Sequence, residues 1–321
     1  MNGTALEGNG KVALLAGSLL VVALLIGLLP LASDVLGGRY DRNDTAITRL
    51  NITNTRPTVY NVLLQDNITE TPRLIDLQPE TTIPIWCNGT VEDYNGYADI
   101  NTTNATIWSS TVSIGSADNL NSHYSNSSCA RITGTGTTSD YSCRFDLPYF
   151  ALNGTWYCNM SAIDQLISGE QGFGSNLTST NISELIALNV TDIIDFGSLQ
   201  AGQTSASDSN ATIYNLGNVQ IDLNLHGYGA ADGDNLAMVC SIGNIPVFYE
   251  HYNLTTWNQN FDTLMANLTG PVAGVTHSNF DLPKALSWAG RNSTTYWKIG
   301  LPIGAARGLC NGTVVFNAVV G

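Results

Sequence analysis

The sequence predicts an all-β protein with two tandem β-sandwiches that follow an N-terminal hydrophobic α-helix. Short runs rich in Val, Ile, Thr and aromatic residues recur after residue 40, separated by Gly, Asn, Asp and Ser, which is typical of strands joined by turns. No long amphipathic helical pattern occurs in the same stretch. Because 43% of the 321 residues are hydrophobic, the chain can fill the cores of two domains.

The hydrophobic helix is predicted from the uncharged run between Val12 and Ala32. As a helix this run would rise about 31 Å, which is the thickness of the hydrocarbon core of a bilayer. Residues 1–33 are therefore expected to be an uncleaved anchor, a long signal peptide or the core helix of a filament subunit. Residues 12–32 are the predicted contact with the membrane.

The domain boundary is predicted at residues 168–182, a polar, Gly/Ser-rich segment expected to be a loop. The β-prone run 185–196 that follows is the expected first strand of the second sandwich. Residues 34–44 then form a linker, residues 45–182 the first sandwich and residues 183–321 the second. Further strands are predicted at 219–225, 296–301 and 314–320.

N-linked glycan acceptors, Asn-X-Ser/Thr, occur eighteen times along the chain. Only 12% of the residues are charged, about half of the usual share, so a glycan coat is expected to keep the surface hydrated. The alternative is an Asn/Thr-rich β-protein in which the acceptors are accidental. One acceptor, Asn2, precedes the hydrophobic run. The predicted glycan-bearing residues are Asn43, Asn51, Asn67, Asn88, Asn101, Asn104, Asn126, Asn153, Asn159, Asn176, Asn181, Asn189, Asn210, Asn253, Asn267, Asn292 and Asn311.

The six cysteines are even in number, which in an exported chain predicts disulfides. Cys87 and Cys158 lie in β-rich runs far apart in sequence, the arrangement that pins the two sheets of an immunoglobulin-like sandwich. A Gly/Thr/Ser-rich connection at 132–139 separates two further cysteines, which are expected to close a hairpin-like loop. No Cys or His spacing typical of a metal site occurs. The predicted pairs are Cys87–Cys158, Cys129–Cys143 and Cys240–Cys310.

Three acceptor asparagines, Asn88, Asn159 and Asn311, each follow a cysteine directly. Neighbouring side chains in a strand face opposite sides of the sheet. A cysteine that points into the core therefore places the next asparagine on the outer face. The pattern predicts sulfur inside and glycan outside.

A calcium site is the candidate metal site, at Asp93, Asn95 and Asp99 in the motif DYNGYAD. Oxygen ligands at alternate positions around a turn glycine suit Ca²⁺, although the later bidentate Glu of a full calcium loop is missing. The alternative is an ordinary turn whose Asp and Asn side chains bind their own backbone. The similar Asp232-Gly233-Asp234 is expected to be a turn. No other cofactor is expected to be required.

Charge and motif content limit the function classes. The formal net charge is −14 with only 12 basic residues, and no basic cluster is available to neutralise phosphates, so nucleic acid is not an expected partner. The four histidines lie in unrelated contexts without a nucleophile elbow. The chain is therefore predicted not to be an enzyme. A hydrolase with a triad from distant residues is the minor alternative.

Two groups of motifs carry a family resemblance. WCNGTVEDYNGYADI and GTWYCNMSAID resemble the first domain of exported proteins of small, DPANN-type archaea, and three later motifs resemble their second domain in the same order. The resemblance implies a tandem immunoglobulin-like surface protein. The apolar helix before the sandwiches is instead similar to archaeal pilins and archaellins, although their basic processing site is not evident before Val12. The later motifs lie at 194–205, 215–240 and 296–318.

These observations together predict a structural glycoprotein of the outer cell surface. Its expected partner is itself, in a filament or surface layer that assembles through the hydrophobic helix and sandwich contacts, including exposed sheet edges. The alternative is a membrane-anchored adhesin that binds a partner cell or a glycan.

Overall fold

The computed structural model shows an all-β protein, with short 3₁₀ turns at Tyr97–Asp99 and Val247–Tyr249. No helix in the described part of the chain is long and apolar enough to span a bilayer. Residues 52–321 form one compact unit. The predicted helix and linker at residues 1–44 lie outside the described residues, as do Asn2, Asn43 and Asn67. The structure describes residues 46–66, 74–166, 169–271, 275–304 and 306–321.

The first half of the compact unit, residues 58–182, contains two sheets. Its strands are β1 (Thr58–Gln65), β2 (Leu74–Ile75), β3 (Thr82–Glu92), β4 (Ile100–Ser109), β5 (His123–Asn126), β6 (Ala130–Arg131), β7 (Thr138–Pro148), β8 (Gly154–Asp164) and β9 (Phe173–Ile182). One sheet has the order β1-β3-β7-β6 and the other the order β2-β9-β8-β4-β5. The long antiparallel ladders are β3–β7 in the first sheet, and β4–β8 and β8–β9 in the second.

The second half, residues 188–320, contains three sheets. Its strands are β10 (Leu188–Val190), β11 (Ser209–Asn215), β12 (Ile221–Tyr228), β13 (Leu236–Pro246), β14 (Glu250–Asn253), β15 (Ala266–Asn267), β16 (Val275–Leu282), β17 (Arg291–Ile299), β18 (Ala306–Asn311) and β19 (Thr313–Val320). The sheet orders are β10-β11-β17-β14-β15, β16-β12-β19 and β13-β18.

Each half buries its own apolar core between facing sheets. In the first half, alternate residues of β3 such as Ile85 pack with Ile107 of β4 and Trp156 of β8, and all three are fully buried. In the second half, Trp297 of β17 packs with Leu223 of β12. The period-2 pattern of apolar residues therefore places one face of each strand in a core. The assignment of the halves as immunoglobulin-like domains stays a prediction.

Two local predictions from the sequence are wrong. The predicted loop at 168–182 contains β9, which pairs with β8 from Gly154–Ile182 to Ile163–Phe173. Its side chains are polar because most of them are exposed, while the backbone ladder supplies the hydrogen bonds. The predicted strand 185–196 is reduced to the three residues of β10. Beyond β10, Ile194 and Phe196 still pack against the core, but from irregular chain.

Asn218 fastens the connection between the halves. It is 1% exposed, its Oδ1 accepts the backbone N–H of Leu185 at 2.7 Å, and its Nδ2 donates to the carbonyl of Ser183 at 3.0 Å. The Asn218 amide fixes the backbone of both half-buried connecting residues, because the amide itself would be buried without partners if they moved away.

Lys284 links the halves a second time. Its Nζ donates to Asn121 Oδ1 at 2.7 Å and to the carbonyl of Phe150 at 2.8 Å, and burial lowers the pKa of this amine to about 8. Trp288 packs edge-on against Phe150 and Tyr149 beside it. The joint between the halves is therefore a packed aromatic contact reinforced by hydrogen bonds.

Candidate functional site

The structure joins the six cysteines in the three pairs that the sequence analysis favours. Cys87 on β3 and Cys158 on β8 are fully buried and connect the two facing sheets through the first core. Cys143 lies opposite Cys87 in the β3–β7 ladder but bonds to Cys129, just before β6. The third pair joins adjacent strands of one sheet, because the two residues are register partners on β13 and β18. That pair is Cys240–Cys310.

The described acceptor asparagines lie at the surface of the protein. Every acceptor in the described residues is exposed or half-buried. Asn88 and Asn159 follow two fully buried cysteines and alternate outward, as strand geometry requires. By contrast, the fully buried Asn215 and Asn218 are not in acceptor sequences. Each described acceptor therefore has a surface position from which a sugar could extend.

Three carboxylates meet at one end of the first half, and we call Asp93, Asp99 and Asp164 the acidic cluster. One oxygen of each lies within 4.8 Å of the others. Asp93 and Asp99 belong to the β3–β4 connection, whereas Asp164 is the last residue of β8. The β4–β8 ladder places Ile100, the residue after Asp99, opposite Asp164. Asp164 was missed by the sequence analysis because only strand pairing brings it to the loop.

The acidic cluster contains buried oxygens that lack a hydrogen-bond partner. Asp93 is fully buried, and its Oδ2 is unpaired, as is Oδ2 of Asp99. Asn54 lies beside them and donates its Nδ2 to Asp164 Oδ2 at 2.9 Å, yet its own Oδ1 is buried without a partner. Buried polar atoms are normally paired, so a group of unpaired acceptors calls for a missing positive partner.

The electrostatics of the acidic cluster are unfavourable without a cation. Burial raises the pKa of Asp93 against a backbone hydrogen bond from Asn95, and the charges of Asp99 and Asp164 raise it further. Burial and the charge of Asp164 likewise raise the pKa of Asp99. Among the described residues, no Lys, Arg or His forms an ion pair with any of the three. Oxygen donors of this kind suit a hard divalent cation.

Asn95, the third predicted calcium residue, has a different role. Its Oδ1 accepts the backbone N–H of Thr55 at 2.6 Å, and its own N–H donates to Asp93 Oδ1 at 2.8 Å. The structure therefore brings Asp93 and Asp99 together with Asp164, while the Asn95 side chain holds the segment that precedes β1.

The second acidic motif, Asp232-Gly233-Asp234, forms a self-contained turn. Gly233 has a φ of 91°, a conformation that favours glycine. Backbone N–H groups, with that of Gly229 foremost, hold the pKa of Asp234 well below its usual range. The four donors to the Asp234 carboxylate are the N–H groups of Gly229, Ala230, Ala231 and Leu236, at 2.7 to 3.1 Å.

Three of the histidines are engaged in packing contacts. His123 Nδ1 lies 2.8 Å from Asp118 Oδ1, and both ring nitrogens of His251 face backbone carbonyls. His277 Nε2 lies 2.6 Å from the hydroxyl of Tyr252, and burial lowers the pKa of this ring. Each ring therefore already has a partner within the fold.

In the described part of the chain, several strands of the second half have a side without a strand partner, and β19 is one of them. Within the described residues, β19 hydrogen-bonds to β12 alone, so its other side is a free edge. A cavity of about 380 Å³ lies next to this strand and is lined by Val190, Phe196, Phe316 and Glu250. Glu250 is 2% exposed, and burial raises its pKa to about 8. An unpaired edge beside a cavity with both polar and apolar walls is suited to pairing with another strand.

The chain matches no protein-family profile and no curated protein sequence. Among solved structures it is similar to the CsuC–CsuE chaperone–tip adhesion subunit pre-assembly complex from the archaic chaperone–usher Csu pili of Acinetobacter baumannii. The identity is 12% over 76% of this chain and 96% of that chain, with a TM-score of 0.33.

Two further structures show similarity of the same order. The CupB6 tip adhesin from Pseudomonas aeruginosa is 12% identical over 81% of this chain and 94% of that chain, with a TM-score of 0.26. A DUF4785 family protein from Legionella pneumophila is 8% identical over 80% of this chain and 47% of that chain, with a TM-score of 0.24. Identities and TM-scores this low assign neither a family nor a function.

Proposed function

We propose that this protein is a structural glycoprotein of the outer cell surface that assembles with copies of itself into a filament or surface layer. The observation that carries the proposal is that the disulfides lie inside the protein and the glycan acceptors lie at its surface. Disulfides lie in or beside the apolar cores, whereas every described glycan acceptor is exposed or half-buried. Disulfides persist in oxidising compartments outside the cytoplasm, where glycans are also carried.

The joint between the halves supports a structural role. Asn218 fixes the connecting residues, and Lys284 with the aromatic contact around Phe150 holds the halves together. A stiff joint favours assembly, because ordering a flexible joint when two subunits bind would cost conformational entropy.

The free edge of β19 is the proposed subunit contact. Strand addition at an open edge supplies backbone hydrogen bonds, and neighbouring cavities take up side chains. A Lys at an edge strand is a common protection against such pairing. Asn317 is an exposed residue of β19 and pairs with Asn224 on the central strand β12.

The test is electron microscopy of material purified from the cell surface. The wild-type protein is expected as a regular filament or lattice, and Asn317→Lys should disrupt it. Asn224→Lys is the matched control, since it places the same charge on the neighbouring strand without changing the edge. Dispersed wild-type monomers would refute the assembly role. Equal disruption by both variants would refute the edge contact.

Adhesion is a second candidate, favoured by one observation. Trp257 is 64% exposed in the loop after β14, and tryptophan is enriched where proteins bind partners. We expect Trp257→Ala to abolish binding to partner cells or a glycan array if this candidate is correct. Phe248→Ala, which removes another exposed ring, is the control.

A further inference from the structure

We propose that the acidic cluster binds one divalent cation of the calcium class, with Asn54 Oδ1 as a further ligand. The bound cation would fasten residues 54–57, which lead into β1 and which we call the lead-in segment, to the rest of the first half. This inference does not depend on the proposed surface role.

The first argument is the set of unpaired oxygens. Asn54 Oδ1, Asp93 Oδ2 and Asp99 Oδ2 are buried and have no hydrogen-bond partner. Asn54 is oriented by its Nδ2, which donates to Asp164. An acceptor buried without a partner is unfavourable, and more so when it is charged, so three at one place need a common explanation. A cation bound by all three provides it.

The second argument is distance. Calcium binds oxygen ligands at about 2.3–2.6 Å, so two ligands on opposite sides of one ion can be up to about 5.2 Å apart. The oxygens of Asp93, Asp99 and Asp164 lie within that separation of one another. Carboxylate and amide oxygens are ligands that calcium prefers, whereas zinc sites are usually built from Cys and His. The donor set therefore favours calcium.

The third argument is that Gly172 lets the lead-in segment lie close to the acidic cluster. Gly172 donates its N–H to Asp164 Oδ1 at 2.6 Å. A Cβ at Gly172 would clash with Asp164 Oδ2 and would lie 2.7 Å from Cα of Arg56. Only a residue without a side chain lets the lead-in segment lie this close to the acidic cluster. The oxygens are thus held by three segments: the lead-in segment, the β3–β4 connection and the end of β8.

The experiment uses the full chain stripped with EGTA and then titrated with calcium alone. Calcium at roughly 100 times its Kd should raise Tm by about 5–10 °C, as ligand linkage predicts for a unit of this size. Amide exchange of Thr55, whose N–H binds Asn95, should slow with calcium, while exchange in β12 should not change. No Tm shift and no change in exchange would overturn the proposal. An equal shift with magnesium at the same concentration would overturn its calcium class.

Two variants separate this site from the general negative charge of the chain. Asp99→Asn keeps the shape of the side chain and removes one charge, so the calcium Kd should rise at least about tenfold. Asp146→Asn is the matched control, because Asp146 is an exposed acid of the same half, paired with Arg144. Equal weakening in both variants would overturn the assignment to the acidic cluster. If Asp99→Asn does not fold, the wild-type titration and exchange measurements still decide the proposal.

Discussion

The two halves of the compact unit contain the same kinds of stabilising residues in different arrangements. Each has a long-range disulfide and a buried tryptophan. Cys87–Cys158 crosses the first core from sheet to sheet, whereas Cys240–Cys310 joins neighbouring strands of one sheet. The two disulfides close loops of nearly equal length, with sequence separations of 71 and 70.

The acidic turns of the two halves also differ, in the partners of their carboxylates. In the second half, the Asp234 carboxylate is satisfied by backbone N–H groups of its own turn. In the first half, the acids of the β3–β4 connection face Asp164 from another strand and keep unpaired oxygens. Two similar acidic turns therefore differ in whether their carboxylates have hydrogen-bond partners. Residues that are distant in sequence, such as Asp164, determine the difference.

The largest effect is expected from removing the long-range disulfides one at a time. Either double Cys→Ala variant should lose about 4 kcal/mol of unfolding free energy, because the loops have the same length and the same closure entropy. The Cys87/Cys158 variant should lose roughly 1–2 kcal/mol more, since both of its sulfurs are fully buried in a core. Guanidinium unfolding measures both. A larger loss for Cys240/Cys310 would contradict the comparison.

An intermediate effect is expected from Glu250→Gln in the second half. The pKa of Glu250 is raised from 4.5 to about 8, so its stabilising contribution is complete below pH 4.5 and lost as pH rises to 8. The unfolding free energy of the variant should match that of the wild type at pH 4 and exceed it at pH 8. Unfolding at pH 4, 6 and 8 checks this. Glu184→Gln, the same substitution at an exposed residue, is the control.

The smallest effect is expected from Asp234→Asn. The pKa of Asp234 is lowered below 3.8 by backbone N–H groups, so it stabilises the fold above pH 3.8 and this contribution is lost as pH falls further. The variant should have a Tm a few degrees lower at pH 7 and a weaker dependence on acid. The same decrease is expected with calcium and with EGTA, which thermal scans can compare. A calcium-dependent decrease would mean that the two acidic turns are alike after all.

The sequence predicted those parts of the fold that depend on local pattern. Alternation identified β12, and the β-rich runs around Cys87 and Cys158 identified that pair. The pair Cys240–Cys310 was identified because both cysteines lie in the last third of the chain. Alternation failed at β9, because an exposed strand whose stability comes from backbone pairing has no apolar alternation to detect.

The candidate site was predicted only in part. Asp93 and Asp99 lie in one motif and could be found, but Asp164 and Asn54 reach them through strand pairing and the path of the lead-in segment. Asn95 fits the motif equally well, yet its oxygen is taken by Thr55. Residue type and spacing show which side chains could bind a cation, but they do not show which of them the fold brings together.

The position of Cys143 opposite Cys87 has a consequence for how the protein matures. Once β3 pairs with β7, the two thiols are neighbours, whereas the native partner of Cys87 is 71 residues away on the other sheet. Rapid oxidation would therefore trap a non-native bond between Cys87 and Cys143. Its release requires attack by another thiolate. The yield of native protein should depend on a thiol–disulfide shuffling catalyst more than on the strength of the oxidant.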